Sequence, residues 1–396
     1  MRIAEIEVFN LYMEYPARRG FRYAGGEVTG RVSTLLQVHT DTGQAGLGAS
    51  YAYPDIVRTI IENHLRPHLL GSDPREVESL WDKMYGLTRW YGRKGAAMSA
   101  LGALDTAFWD LRAKSLGKPL YRLLGGERNT VPAYASGLFW QDDLCELERE
   151  AQRHRGCGFR RVKTRLGRGE SYDVAALEAI RRGLGQDGDI LVDGSHRYTL
   201  QTAEKLGRIL AEQRVFWFEE PFPPEDIDSY VALRPKISVP LAAGENDFGF
   251  QGFREMLRAG ALGVAQPDAC RAGGISECLR VARMAAEQGV GIGTHTWSDS
   301  VALMANAHFV AAIPNGLTVE VDQTGNPFID DLLAEPLRIE DGLLYLPDAP
   351  GLGIELNQAA LKKLTLSPGT PIPNGNYSDL IFGAEYLTAP PPYEVS

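Results

Sequence analysis

Asp193 in ILVDGS, Glu219 in FWFEEP and Glu245 in LAAGEN each stand at the C-terminal end of a short apolar run. Twenty-six residues separate the first from the second, and 26 the second from the third. Three carboxylates held together offer all-oxygen ligation, which suits a hard divalent cation such as Mg²⁺. The blander alternative is that each merely caps the helix that follows it. Other ionisable residues end apolar runs in the same way: Lys163 and Arg165 in RVKTRLG, Asp268 in GVAQPD, His295 in GIGTHT and Glu320 in LTVEV. Lys163 and Arg165 are two residues apart, so a strand points both to one side. There they can hold a substrate carboxylate, and a lysine of lowered pKa can also take a proton. Asp268 beside His295 would orient the imidazole and raise its basicity. A carboxyl at Glu320, kept protonated, could donate to a developing oxyanion. His196, three residues after Asp193, is placed to hydrogen-bond substrate, whereas His39, His64, His68, His154 and His308 read as structural.

The even spacing comes from the elements that carry these residues. A short apolar run bounded by turn residues reads as a strand buried on both faces. One strand and its covering helix take roughly 25 residues in a (β/α)₈ barrel, which keeps its active site at the C-terminal ends of the strands. Eight such runs follow one another at 131–137, 160–167, 190–195, 215–221, 239–245, 263–268, 290–296 and 317–321. Helical stretches such as 174–183, 201–213, 251–259, 274–288 and 299–312 lie between them. Residues 1–127 follow a different grammar: strands over 2–12, 32–40 and 43–50 precede helices over 54–69, 74–87 and 95–116, the order of an α+β domain. The expected architecture is therefore α/β, a modified (β/α)₈ TIM barrel over 128–335 with an N-terminal α+β capping domain over 1–127. Residues 336–396, rich in Pro and Gly, would return as a tail to pack on the capping domain.

Composition narrows the function. The 396 residues carry 41 Lys and Arg against 51 Asp and Glu, a formal charge of −10, with no basic block, so nucleic-acid and membrane-surface roles are not indicated. An acidic chain that binds an anion must supply local positive charge, from a metal or an inward Lys or Arg. Cys145, Cys157, Cys270 and Cys278 form no C-x-x-C pair and read as free thiols of a reducing compartment. With no signal-peptide pattern in MRIAEIEVFN, a cytoplasmic protein is expected.

These residues carry a resemblance. VKTRLG, LVDGSH, FEEP, AGE, QPDACRAGG and THTW, with VEVDQTGNPF, GALDTAFWDLRAKSLGKPLYRLLGG and PDAPGLGIELN, resemble the mandelate racemase branch of the enolase superfamily over nearly the whole chain. The resemblance implies Mg²⁺ on Asp193, Glu219 and Glu245, abstraction of the proton α to a carboxylate, and a capping domain whose loops close over the substrate. Arg19, Tyr23 and Tyr51 in those loops, together with His196, are the candidate substrate-binding residues. A small sugar-acid substrate and assembly as a homo-oligomer are the expected partners. One departure shapes the chemistry. Racemases of this branch resemble K-x-K on the second strand, and here the second lysine is Arg165, whose guanidinium is a poor base. Two opposed bases are thereby reduced to one, which favours β-elimination from a sugar acid by His295, an acid-sugar dehydratase. A sugar-lactone cycloisomerase or a racemase/epimerase is the alternative. A barrel that bound sugar acid without turnover would show damage to this constellation, and none is visible in the sequence.

Overall fold

The computed structural model describes residues 1–16 and 20–378. The chain opens with strand β1 (Ile3–Glu14), a short hairpin of β2 (Phe21–Tyr23) and β3 (Gly26–Val28), then β4 (Gly30–Thr40) and β5 (Ala45–Ser50). β1, β4 and β5 form an antiparallel sheet in which Ile6 faces Val38 and Val8 faces Leu36. The helix Ala96–Ser115 lies directly on this sheet, and its small residues permit the close approach. A Cβ at Gly48 would stand 2.0 Å from Ala103 O, so only glycine allows that packing. The other side of the helix meets the barrel, where a Cβ at Gly102 would stand 2.4 Å from Ala269 O. Asp105 of the same helix is fully buried and accepts hydrogen bonds from Ser276 N at 2.9 Å and Ser276 Oγ at 2.6 Å.

The barrel follows as eight parallel strands: β6 (Thr130–Ser136), β7 (Arg161–Arg165), β8 (Asp189–Asp193), β9 (Val215–Glu219), β10 (Leu241–Ala243), β11 (Val264–Ala265), β12 (Gly291–Thr294) and β13 (Gly316–Asp322). They pair in chain order, and β13 closes on β6 with Val319 opposite Ala133 and Asp322 opposite Ser136. Residues alternate along each strand, as the pleat requires. Tyr134, Leu191, Trp217, Ala242 and Val264 fill the barrel interior, while Ala133, Val162, Val192, Phe218 and Ala265 belong to the large core between strands and helices. Two residues beyond the inner set, the same alternation brings Asp193 and Glu219 inward at the strand ends, beside Lys163 and Arg165.

The helices are capped by Asp143, Thr199, Asp226 and Asp299, not by Asp193, Glu219 or Glu245. The capping alternative for the three carboxylates is thereby removed. After β13 the eighth helix shrinks to Pro327–Asp330, and the chain forms a hairpin of β14 (Ile339–Glu340) and β15 (Leu343–Tyr345). β15 pairs antiparallel with β6, so the tail first lies against the barrel. From Asp348 onward it meets the capping domain: Tyr121 Oη donates to Asp348 Oδ1 at 2.6 Å, Leu352 N to Asp110 Oδ1 at 2.8 Å, and Leu366 N to Asn10 O of β1 at 2.9 Å. The segment carrying Tyr23, expected as a loop of the capping domain, forms the β2–β3 hairpin. Phe21 and Tyr23 anchor it by packing with Phe139 and Trp297 of the barrel. All four cysteines are free, and no helix among the described residues is long and apolar enough to cross a membrane.

Candidate active site

The C-terminal ends of the barrel strands gather the ionisable residues into one buried cluster. Lys163 is fully buried, with Nζ 2.8 Å from Glu219 Oε1 and 2.7 Å from Glu320 Oε1. Burial alone would lower its pKa, but Glu219 and Glu320 raise it instead, so the ammonium is held charged. The lowered lysine pKa considered from the sequence is therefore not found. Glu320 is corrected in the same way. Burial would raise it, yet Lys163, His295 and Arg165 bring it down to about 2. Its Oε2 accepts from Thr296 N at 3.0 Å, and this carboxylate is an acceptor, not the protonated donor the sequence suggested.

Arg165 is almost as enclosed. Its Nε lies 3.3 Å from Asp193 Oδ2, its Nη1 donates to Ser136 Oγ at 2.9 Å, and its guanidinium carbon sits 4.7 Å from the ring centres of both Phe139 and Trp297. Arg31 of β4 also packs on Trp297, its guanidinium carbon 4.3 Å from the ring centre. Arg31 donates to Trp297 O at 2.6 Å and pairs with Asp322 Oδ2 at 2.8 Å, both side chains being buried. A residue of the capping sheet thus helps fix the wall against which Arg165 rests.

His295 and Asp268 form the expected dyad, with Nδ1 2.9 Å from Asp268 Oδ2. A carboxylate there accepts a hydrogen bond from Nδ1–H and so fixes the tautomer, which leaves Nε2 unprotonated and free to act as a base. Nε2 faces the carboxylate cluster, 3.8 Å from Glu245 Oε2. Asn306, which sequence reasoning missed, organises the dyad. Its Nδ2 donates to Asp268 Oδ1 at 2.9 Å, to His295 O at 3.2 Å and to Thr296 Oγ1 at 3.0 Å, while its Oδ1 accepts from Ala269 N at 2.9 Å. A buried amide in the largely apolar helix Ser300–Ala311 was the available signal.

Among the described residues, five carboxylates, on Asp193, Glu219, Glu245, Asp268 and Glu320, face only two fixed cations, Lys163 and Arg165. Asp193, Glu219 and Glu245 lie on or just past three neighbouring strands, with Asp193 opposite Glu219 in register. Burial, Asp193 and Glu320 push Glu219 upward against the pull of Lys163. An oxygen-only donor set with surplus negative charge fits a hard divalent cation. Among the described residues no three such side chains already converge as a metal cage. Glu219 Oε2 accepts from Trp217 Nε1 at 3.0 Å, and Asp193 Oδ1 from Ser195 N at 2.8 Å.

The substrate-binding candidates separate. Tyr51 is buried, with its ring 5.8 Å from that of His295. Tyr23 packs in the aromatic cluster, 6.0 Å from Phe139. His196 is hydrogen-bonded to Glu220, the second Glu of FEEP, which also accepts from Asn246 Nδ2 at 2.9 Å. Ser195, His196 and Glu220 all adopt positive φ (47°, 61° and 36°), backbone strain concentrated beside the site. Arg19 lies outside the described residues. A cavity of about 520 Å³, lined by Asn129, Met304, Arg338 and Tyr345 among others, opens near the start of β6 and contains none of these groups.

A closed barrel with an α+β cap, and a carboxylate–lysine–histidine site at its C-terminal face, defines a class of enzyme scaffold. Residues 5–125 match the mandelate racemase / muconate lactonizing enzyme N-terminal domain, and residues 146–360 the enolase C-terminal domain-like family. The chain belongs to this family of the enolase superfamily. It is 34% identical over 366 residues to D-galactarolactone cycloisomerase of Agrobacterium fabrum, covering 89% of this chain and 97% of that one. It is also 34% identical to arabinonate dehydratase of Saccharolobus solfataricus, covering 83% and 89%. A solved racemase from Streptomyces coelicolor with bound magnesium superposes with a TM-score of 0.85 at 28% identity, covering 92% of this chain and all of that one.

Proposed function

We propose that this protein is a Mg²⁺-dependent acid-sugar dehydratase that removes the proton α to a carboxylate and expels the β-hydroxyl. The observation that carries the reading is the asymmetry of the site. It has one base, His295, and facing groups that cannot serve as a second: Lys163 is held charged and Arg165 is a guanidinium. Asp193, Glu219 and Glu245 would hold the cation. When bound, the cation supplies Lewis-acid stabilisation of the negative charge that builds on the substrate carboxylate. His295 Nε2 takes the α-proton, and the electron pair left behind forms the enediolate. Lys163, fixed between Glu219 and Glu320, adds positive charge beside it, a preorganised electrostatic contribution. The enediolate collapses as the β-carbon–oxygen bond breaks, and the imidazolium returns its proton to the departing hydroxyl as water. The enol then tautomerises to a 2-keto-3-deoxy acid.

A second reading is favoured by the similarity to D-galactarolactone cycloisomerase. There the group expelled from the β-carbon would be the ring oxygen of a lactone, which stays attached to the product. The same residues perform both eliminations. Incubating a panel of sugar acids and lactones with Mg²⁺, then weighing the products by mass spectrometry, separates them. A product lighter by one water supports the dehydratase, and an isomer of equal mass supports the cycloisomerase. Failure of every substrate, or turnover that survives exhaustive chelation, contradicts the proposal.

A further inference from the structure

Just above the catalytic carboxylates, a second polar chain runs across four strand ends: His196 after β8, Glu220 after β9, Asn246 after β10 and Arg271 after β11. His196 bonds Glu220, Glu220 accepts from Asn246 Nδ2, and Asn246 Oδ1 accepts from Arg271 Nη2 at 2.8 Å. The terminal residue is unusual. Arg271 is only 7% exposed, yet its Nε and Nη1 have no hydrogen-bond partner, and no carboxylate of the described residues pairs with it. Removing a guanidinium from water without a counter-charge is costly, so a native protein keeps such a group for a reason. Its faces are fixed: the guanidinium carbon lies 5.2 Å from the ring centre of Tyr51 and 5.7 Å from that of Phe248. Tyr51 comes from the cap and stacks next to His295, so Arg271 stands one aromatic ring beyond the catalytic imidazole.

We infer that Arg271 is a substrate-specificity residue whose free Nε–H and Nη1–H receive the distal carboxylate of a dicarboxylic sugar acid. This rests on the acid-sugar reading above and narrows it to a diacid. A guanidinium presents parallel donors that match a carboxylate in a bidentate fork, and the pairing is charge-assisted. The reacting carboxylate is drawn to the Lys163 side, and a chain of several carbons carries the second one past Tyr51 to Arg271. Asn246 holds the guanidinium in place while passing no net charge to it, which leaves the cation to be neutralised by the ligand. A monoacid would leave that cation unmatched.

The test compares six-carbon sugar monoacids with the corresponding diacids, which differ only at the far carbon. Binding is measured by calorimetry in Mg²⁺ with the His295→Asn protein, so that no turnover interferes, and kcat/KM is measured with the otherwise unaltered enzyme. The structure predicts tighter binding of at least one diacid over its monoacid partner. Arg271→Met should collapse that ratio roughly 10- to 100-fold, the range for a hydrogen-bonded charge pair, with most of the effect in KM. Arg271→Lys should restore part of the preference, and thermal stability of the Met variant should equal or exceed that of the parent because an unpaired buried cation has gone. Equal losses for diacid and monoacid, or a parent enzyme with no diacid preference, overturn the inference. If no acid is turned over but the diacid preference and its Arg271 dependence persist, the subsite stands and the dehydratase reading falls.

Discussion

Asp268→Asn is the substitution that isolates the base. Asp268 is fully buried and receives three donors: His295 Nδ1–H on Oδ2 at 2.9 Å, and Asn306 Nδ2 and Cys270 N on Oδ1, each at 2.9 Å. An asparagine whose oxygen keeps the place of Oδ1 retains the last two bonds. Its amide nitrogen then replaces Oδ2 and presents a hydrogen to His295 Nδ1. The imidazole can satisfy that contact only by moving its own proton to Nε2, the nitrogen that must take the α-proton. Shape, volume and hydrogen-bond count are preserved, so the fold should survive with little loss of stability. What disappears is the base, and general base catalysis of this kind is worth about 10²- to 10⁴-fold. A fall of 10³-fold corresponds to about 4 kcal/mol of transition-state stabilisation. Steady-state kinetics on the best acid sugar, followed through the 2-keto product, should show the loss in kcat with KM nearly unchanged. Thermal melts of the same preparation check the fold. A loss smaller than about tenfold in a properly folded variant would refute the assignment of His295 as sole base.

Other consequences follow from the buried charges. Lys163→Met leaves Glu219 and Glu320 facing each other without a cation; removing one partner of a buried pair costs about 3–5 kcal/mol, and urea unfolding should show that deficit alongside loss of turnover. Arg31→Met should destabilise by a similar amount, about 3–5 kcal/mol, because Asp322 is stranded, and should also lower kcat by freeing Trp297 from its stacked position beside Arg165. His308 is buried between Tyr121 N and Leu352 O, and burial lowers its pKa to about 4. The unfolded chain therefore binds the extra proton first as pH falls, so its contribution is present above about pH 6.5 and is lost towards pH 4. His308→Gln, which can keep both bonds, should remove about 3 kcal/mol of acid sensitivity relative to the parent when unfolding is compared at pH 7 and pH 4.

The chemistry was legible where one strand end supplied one group. Apolar runs ending in Asp193, Glu219, Glu245, Asp268, His295 and Glu320 marked the barrel and its site together, since burial and periodicity are local properties. Protonation was not legible. The charge on Lys163 and the low pKa of Glu320 depend on each other across a barrel that closes only through the β13–β6 pairing. Contacts between distant segments were equally hidden. Arg31 meets Trp297 across 266 positions, and Asn306 reaches back 38 to Asp268, spans that no local pattern encodes. The stretch 15–26 reads as loop because Gly and Arg outweigh Tyr15, Phe21 and Tyr23 in its sequence. In the fold those aromatics decide, because the barrel offers Phe139 and Trp297 to pack against.

The central claim is that His295 removes a proton α to a carboxylate in a site organised around a divalent cation. Release of isotope from an α-tritiated sugar acid into water measures that step directly, whichever leaving group departs afterwards. With Mg²⁺ the enzyme should release the label, and His295→Asn or chelation should stop it. Release by the His295→Asn protein at the parent rate, or undiminished release without a divalent cation, would contradict the account.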